Sequence, residues 1–222
     1  MGKPAVFLDF HGTLGSQGLD DIRTFAFYPF SIEAIRLLNA NDVLAIGITN
    51  QSHIAKGEFT MEEFEQKLQQ LQQELENHNT HLDAVYCCPH GREDNCKCKE
   101  PLTGMIDQAR TEFDIDMLRA YGVGDMGMAD MALAKNINAK GILVLTGVGK
   151  GSLNEYRYTW KDVEADYVAS DVLKAVKWIL GTLFKRGGDR HHPLLPSCPP
   201  QAEGEIDTWI SLCRPTKWIE EG

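Results

Sequence analysis

The 222-residue sequence contains no apolar stretch of the length that a transmembrane helix needs. Its first apolar run, Ala5 to Leu8, stops at Asp9, whereas a membrane-spanning helix needs about 20 such residues. The N-terminal segment also lacks the pattern of a secretory signal peptide. We therefore expect a cytoplasmic protein with no membrane partner.

Positive charge is scarce as well. The chain carries 22 Lys and Arg against 32 Asp and Glu, a net charge of −10, and it has no run of basic residues longer than Lys185-Arg186. Surfaces that bind DNA or RNA are rich in clustered Lys and Arg, because these neutralise phosphates. We therefore expect no nucleic-acid partner.

Disulfide bonds are not expected, although the chain has six cysteines. Without a secretory signal, cysteines are more often reduced thiols or metal ligands. Four of the six crowd into the segment from Cys87 to Cys98, which calls for a chemical explanation.

The hydrophobic pattern predicts an α/β fold. Short runs rich in Val, Ile and Leu alternate with segments of helical periodicity, which is typical of a three-layer sandwich with a mostly parallel sheet and helices on both faces. The predicted strands are Ala5–Asp9, Val43–Thr49, Ala84–Cys88, Ala120–Gly124, Gly141–Thr146 and Tyr167–Ala169. The predicted helices are Ser31–Ala40, Met61–His78, Thr103–Phe113, Met128–Ile137 and Asp171–Phe184.

The composition changes after Arg186. Two glycines, two histidines and four prolines follow within a short stretch, which is typical of a linker or an extended tail. We therefore predict a domain over residues 1–186 and a Pro-rich tail over residues 187–222. Apolar residues near the end, such as Trp209 and Trp218, suggest that the tail docks on the domain, or else mediates self-association with a second copy.

Three predicted strands end in a carboxylate or a hydroxyl: Asp9, Thr49 and Asp125. Ligands of open α/β sheets bind outside the carboxyl ends of the strands. Taken singly, each of these residues is explained better as a cap for the helix that follows. The occurrence of all three residues at strand ends, in this order along the chain, indicates a ligand-binding site.

Together with their neighbours these residues resemble the haloacid dehalogenase (HAD) superfamily of phosphatases. The resembling motifs are Asp9-Phe10-His11-Gly12-Thr13 after the first strand, Thr49 after the second, and Gly124-Asp125 followed by Asp130. The stretches from Thr49 to Gly57 and from Cys88 to Pro101 are similar to the subgroup of heptose 1,7-bisphosphate and histidinol-phosphate phosphatases. The resemblance covers about residues 4 to 185, and it implies a HAD-like Rossmannoid fold without a large cap domain.

The resemblance also implies roles for individual residues. Asp9 is the expected nucleophile, which forms an aspartyl-phosphate. Mg²⁺ is expected on Asp9, the backbone carbonyl of His11 and Asp125, with Asp130 in the surrounding shell. The expected substrate-binding residues are Thr49, Asn50, Lys56 and Lys99.

The chain departs from the family at three positions. His11 stands where phosphatases of the superfamily usually have an aspartate as general acid and base; an imidazole can perform that role, or the role is lost. Glu100 stands where the subgroup tends to have a lysine that neutralises the phosphate, and Met126 stands where another lysine is common. A carboxylate at position 100 is expected to repel a phosphate dianion.

The segment 88–98 carries the pairs Cys88-x-His90 and Cys96-x-Cys98. Two such pairs suit tetrahedral Zn²⁺, and four protein ligands leave no open position, so we expect a structural zinc. Cys87 is more easily explained as a core residue, although it remains an alternative ligand.

We therefore expect a Mg²⁺-dependent phosphomonoester hydrolase that acts on a small phosphorylated metabolite, in the first place a sugar phosphate. The alternative is a catalytically weakened relative that binds a phosphorylated ligand or a protein partner, as the changes at His11, Glu100 and Met126 suggest. Phosphoryl transfer to an acceptor other than water is a third hypothesis.

Overall fold

A computed structural model describes residues 2–16 and 21–184. In these ranges six strands form one parallel sheet in the order β3-β2-β1-β4-β5-β6, which confirms the predicted fold class. The strands are Lys3–Asp9 (β1), Leu44–Asn50 (β2), Ala84–Cys88 (β3), Ile115–Gly124 (β4), Lys140–Val144 (β5) and Tyr167–Ala169 (β6).

The first six α-helices lie between strands, as the crossover connections of a parallel sheet require, and the seventh follows β6. They are Ser31–Ala40 (α1), Ser52–Ala55 (α2), Met61–Asn77 (α3), Gly104–Glu112 (α4), Ala132–Asn136 (α5), Gly149–Leu153 (α6) and Val172–Phe184 (α7). Helix α3 begins with a capping box, in which the Glu63 backbone N–H donates to Thr60 Oγ1 at 3.1 Å and Thr60 N–H donates to Glu63 Oε2 at 2.7 Å.

Several predicted boundaries need correction. The helix predicted at Met128–Ile137 is a π-helical turn, Gly127–Met131, followed by α5. Strand β4 begins at Ile115, five residues before its predicted start, and β5 ends at Val144 rather than Thr146. The sequence analysis missed α2 and α6 because helices of four or five residues are too short to show a periodic apolar face.

Two hydrophobic cores cover the two faces of the sheet. Successive side chains of a strand point to opposite faces, so Val6 and Leu8 pack in the core that includes α1, α3 and α7, whereas Ala5 and Phe7 pack in the core that includes α4 and α5. All four side chains are buried. The burial on both sides explains why β1 reads as a continuous apolar run rather than an alternating one.

The strand order places the candidate residues together. From β1 the chain builds outward to β2 and β3, and then returns to the other side of β1 with β4. The point between β1 and β4 is therefore a topological switch point, where open α/β sheets bind their ligands. Asp9 ends β1, Thr49 is the last residue but one of β2, and Asp125 follows β4.

In the described ranges there is no helix both long enough and apolar enough to cross a membrane. The predicted tail, residues 187–222, and the self-association assigned to it lie outside the described residues, as does the end of the predicted domain after Phe184.

Candidate active site

Three carboxylates converge at the carboxyl edge of the sheet. Side-chain oxygens of Asp9, Glu100 and Asp130 lie within 4.8 Å of one another. These three residues are called the carboxylate cluster below. They come from the end of β1, the segment before α4 and the π-helical turn after β4, so the fold brings together residues that are far apart in sequence.

The environment of the carboxylate cluster opposes ionisation. Burial, followed by the charges of Asp130, Asp125 and Glu100, raises the pKa of Asp9 well above its usual range. Burial, followed by Glu100 and Asp125, does the same to the pKa of Asp130. Burial raises the pKa of Glu100 to about 7, although Lys99 opposes this shift. Perturbed carboxylates of this kind are typical of functional sites, where a cation or substrate completes the charge balance.

Asp130 is held in the carboxylate cluster by the backbone. Its Oδ2 accepts a hydrogen bond of 2.7 Å from the Met126 backbone N–H, within the π-helical turn. A Cβ atom on Gly124 would lie 2.0 Å from Asp130 Oδ2, so this approach requires glycine at the end of β4. The resemblance implied a second-shell role for Asp130, whereas the structure groups its carboxylate directly with that of Asp9.

Asp125 lies beside the carboxylate cluster and is not one of its three members. Its Oδ2 accepts a hydrogen bond of 2.7 Å from the Val148 backbone N–H. A Cβ on Gly12 or on Gly147 would lie 2.0 Å from the same oxygen, and both glycines have positive φ, +81° and +52°. Burial raises the pKa of Asp125 to about 6, against the opposing effect of the Val148 hydrogen bond. The sequence analysis missed Gly147 and Val148 because their spacing matched no phosphate-binding motif.

Glu100 is fixed by Asn50 at the end of β2. Asn50 Nδ2 donates to Glu100 Oε2 at 2.9 Å, and the Glu100 backbone N–H donates to Asn50 Oδ1 at 3.2 Å. The Oε1 atom is buried without a hydrogen-bond partner in the described part of the chain. Asn50, predicted to bind substrate, is thus engaged with Glu100.

The other predicted substrate-binding residues lie in different surroundings. Thr49 is buried, and its hydroxyl oxygen accepts a hydrogen bond of 2.9 Å from Gln51 Nε2. The Lys99 ammonium donates to the Ser52 hydroxyl and, at 3.0 Å, to the His90 carbonyl. Lys56 is different, because its side chain is 60% exposed and its nearest ion pair is with Glu58 at 3.8 Å.

His11 lies two residues beyond Asp9, in the turn that leaves β1. Its backbone forms an isolated bridge with Gly15, and its ring packs edge-on against Phe25 with the centroids 5.5 Å apart. The imidazole is half-buried, and its Nε2 is shielded from solvent. The turn and the contact with Phe25 therefore hold the ring in a defined position.

A second group of chemically reactive side chains lies at the end of β3 and in the segment between β3 and α4. Ligand atoms of Cys88, His90, Cys96 and Cys98 lie within 4.8 Å of one another. The Cys88 Sγ is 3.6 Å from His90 Nδ1 and 3.7 Å from Cys96 Sγ, and His90 Nδ1 is 3.2 Å from Cys98 Sγ. Contacts with Cys88, His90 and Cys96 lower the pKa of the Cys98 thiol to about 5. Cys87 is buried in the hydrophobic core and is not in this group.

Comparisons with known proteins agree with this geometry. A family model described as HAD-hydrolase-like matches residues 97–175. The D-glycero-β-D-manno-heptose-1,7-bisphosphate 7-phosphatase of Yersinia pestis is 39% identical over 155 residues, which are 65% of this chain and 81% of that protein. The enzyme of the same name from Haemophilus ducreyi is 36% identical over 188 residues, which are 81% of this chain and 100% of that protein.

A solved structure also matches. The D,D-heptose 1,7-bisphosphate phosphatase from B. bronchiseptica, complexed with magnesium and phosphate, superposes with a TM-score of 0.73 at 26% identity, and the match covers 81% of this chain and 99% of that one. With the six-stranded parallel sheet and the strand-end carboxylates, these matches establish that the chain belongs to the HAD superfamily of phosphatases, in the group of the heptose-bisphosphate phosphatases.

Proposed function

We propose that this chain hydrolyses a phosphate monoester of a small sugar, with Asp9 as the nucleophile. The observation that carries the proposal is the position of the Asp9 carboxylate, at the end of the strand beside the switch point and within 4.8 Å of Asp130. A carboxylate at this edge of the sheet can act as a nucleophile toward the phosphorus atom of a bound phosphate ester. Attack there splits the hydrolysis into two easier steps.

In the first step an Asp9 oxygen bonds to phosphorus, and the bond from phosphorus to the sugar oxygen breaks. The sugar oxygen needs a proton, which we assign to the His11 imidazole. In the second step water attacks phosphorus, His11 takes up its proton, and the bond to Asp9 breaks to release phosphate. Thr49 accepts its hydrogen bond from Gln51, so its own hydroxyl proton can be donated to a phosphoryl oxygen.

The carboxylate cluster is suited to Mg²⁺, which prefers hard oxygen ligands and keeps waters and substrate oxygens in its shell. The buried Glu100 Oε1 supports this assignment, and so does the environment of Asp9 and Asp130, because a bound cation would offset the burial and the neighbouring negative charges that raise their pKa values. Asp9, the His11 carbonyl, Asp125 and Asp130 are the residues proposed to hold the ion. Bound Mg²⁺ would neutralise charge on the phosphoryl oxygens.

The second group, Cys88, His90, Cys96 and Cys98, is suited to a structural Zn²⁺. A tetrahedral zinc with bonds of about 2.3 Å to sulfur and 2.0–2.1 Å to nitrogen places sulfurs about 3.8 Å apart, and sulfur about 3.6 Å from nitrogen. The separations of 3.7, 3.6 and 3.2 Å are close to these values. Such an ion would fix the segment that carries Lys99 and Glu100.

The substrate proposal rests on the relatives. Those compared above are named for heptose 1,7-bisphosphate, which makes this sugar the first compound to test. The test is phosphate release with Mg²⁺ from heptose 1,7-bisphosphate, histidinol phosphate, simple sugar phosphates and an aryl phosphate, with the Asp9→Asn variant as the blank. We expect turnover of a sugar phosphate that disappears in the blank.

The changes at His11 and Glu100 favour a second candidate, a weakened relative that binds a phosphorylated ligand without turning it over. Folded, metal-loaded protein that releases no phosphate above the blank would support this candidate and contradict hydrolysis. Binding of the same sugar phosphates, measured by calorimetry, would then identify the ligand.

A further inference from the structure

Glu100 is buried and held in place without being neutralised. Its residue exposure is 9%, which is rare for a glutamate, and in the described ranges the cation that acts on its charge, Lys99, directs its hydrogen bonds to Ser52 and His90 instead. Its two contacts with Asn50 fix both its backbone and its Oε2 atom. The side chain is therefore positioned by the fold rather than drawn into the protein by an ion pair.

The Oε1 atom of Glu100 is available to bind a cation. It is buried, and within the described ranges it has no hydrogen-bond partner. A buried acceptor without a partner costs about 1–3 kcal/mol, and more when it is charged. The same carboxylate lies within 4.8 Å of oxygens of Asp9 and Asp130, a span that one divalent ion with oxygen ligands can bridge.

The neighbouring ammonium group of Lys99 does not take the place of a divalent ion in the carboxylate cluster. The ammonium of Lys99 donates to the Ser52 hydroxyl and the His90 carbonyl, so its hydrogen bonds hold the segment before α4. On the other side, Asp125 adds a fourth carboxylate, fixed by Val148. The site as a whole thus carries more negative charge than its own side chains balance.

We propose that Glu100 is a direct ligand of the divalent cation, in addition to the residues named under the proposed function, so that this chain binds its cation before the substrate arrives. The inference rests on the Mg²⁺ site of the proposed function. Sites for Mg²⁺ that use one or two carboxylates rely on substrate phosphate for further ligands. The additional carboxylate of Glu100 in the free protein removes part of that dependence and changes the order of binding to metal first, substrate second.

The test measures metal binding in the full chain without substrate. Binding of Mn²⁺ alone is followed by electron paramagnetic resonance, and stabilisation by Mg²⁺ alone is followed by thermal unfolding against an EDTA blank. The variants are E100Q, which keeps the size and the oxygen that accepts from Asn50, and E100K, which reverses the charge. Glu74→Gln is the matched control, because it makes the same chemical change on the exposed face of α3.

We expect E100Q to weaken Mn²⁺ binding at least about tenfold, as the loss of metal-site residues commonly does, and E100K to weaken it further. E74Q should bind as the wild type does. In EDTA, E100Q should be as stable as the wild type or more stable, because a repelling charge has been removed. A merely structural role for Glu100 would instead lower stability with and without metal and leave Mn²⁺ affinity unchanged.

Two outcomes would overturn the inference: a wild type that binds no Mn²⁺ at millimolar concentrations without substrate, or a folded E100Q or E100K that binds Mn²⁺ as tightly as the wild type. Phosphate release from the same samples keeps the two proposals separate. Glu100-dependent binding of Mn²⁺ without any turnover would refute the hydrolase proposal alone. Turnover with unchanged Mn²⁺ affinity in E100Q would refute the role of Glu100 alone.

Discussion

Replacing Asp9 by Asn tests the nucleophile and the charge balance of the site together. The change keeps the shape of the side chain but removes both its nucleophilic oxygen and its charge. Loss of a covalent nucleophile commonly lowers kcat by about 10⁴-fold or more. We therefore expect phosphate release by Asp9→Asn to fall to the background level.

The same variant is expected to be more stable without metal. Two unit charges at the 4.8 Å separation that bounds the carboxylate cluster repel with about 3.5 kcal/mol at an effective dielectric constant of about 20. Because the cluster relieves part of this repulsion by retaining protons, we expect a net gain of about 1–3 kcal/mol. For a domain of this size, that is a rise in Tm of roughly 2–12 °C.

The assay is thermal unfolding in EDTA, followed by circular dichroism, together with phosphate release in Mg²⁺. Replacing the exposed carboxylate of Glu74 by Gln supplies the control for charge removal in general. An Asp9→Asn variant that retains a measurable fraction of wild-type turnover would refute the nucleophile. A variant less stable than the wild type in EDTA would refute the reasoning on charge repulsion, whatever its activity.

Three further predictions address other parts of the molecule. Cys96→Ser should reduce the zinc content from about one ion per chain to a small fraction and should lower Tm. Elemental analysis and thermal unfolding measure the two effects. A folded wild-type protein that contains no zinc would contradict the proposed ligand set. Gly12→Ala should lose activity and stability, because its Cβ would lie 2.0 Å from Asp125 Oδ2 at a φ of +81°. The control is Gly57→Ala, which has a φ of +69° but no atom within 4 Å of the new Cβ, so it should show only the smaller effect of backbone strain. Equal losses of activity and stability in the two variants would show that the contact with Asp125 is unimportant. The hydrogen bond that His81 donates to the Asp83 carboxylate raises the pKa of His81 above 6.5, so His81 stabilises the fold at pH below about 6.5 and loses this effect as the pH rises through the raised pKa. His81→Gln should therefore be less stable than the wild type at pH 5.5 and nearly equal to it at pH 9 in urea unfolding; a difference independent of pH would contradict this.

The sequence by itself determined the fold class and most of the elements. The burial of β1 on both faces leaves a continuous apolar run, and the capping box of α3 is a local hydrogen-bond pattern, so both can be recognised without tertiary information. Helix α1 and strands β3 and β6 have their predicted bounds. The order of motifs along the chain was also enough to recognise the superfamily.

Only the tertiary structure decided how the carboxylates are grouped. From the sequence we expected Glu100 to repel phosphate. The sequence does not show that Asn50 holds the Glu100 side chain near Asp9 and Asp130. The resemblance placed Asp125 on the metal and Asp130 in the surrounding shell, but it could not show that Asp130 lies with Asp9, or that Val148 and Gly147, more than 20 residues away, contact Asp125. Strand ends show which residues reach the edge of the sheet, but the direction of each carboxylate depends on backbone donors from other elements, which a sequence pattern does not contain.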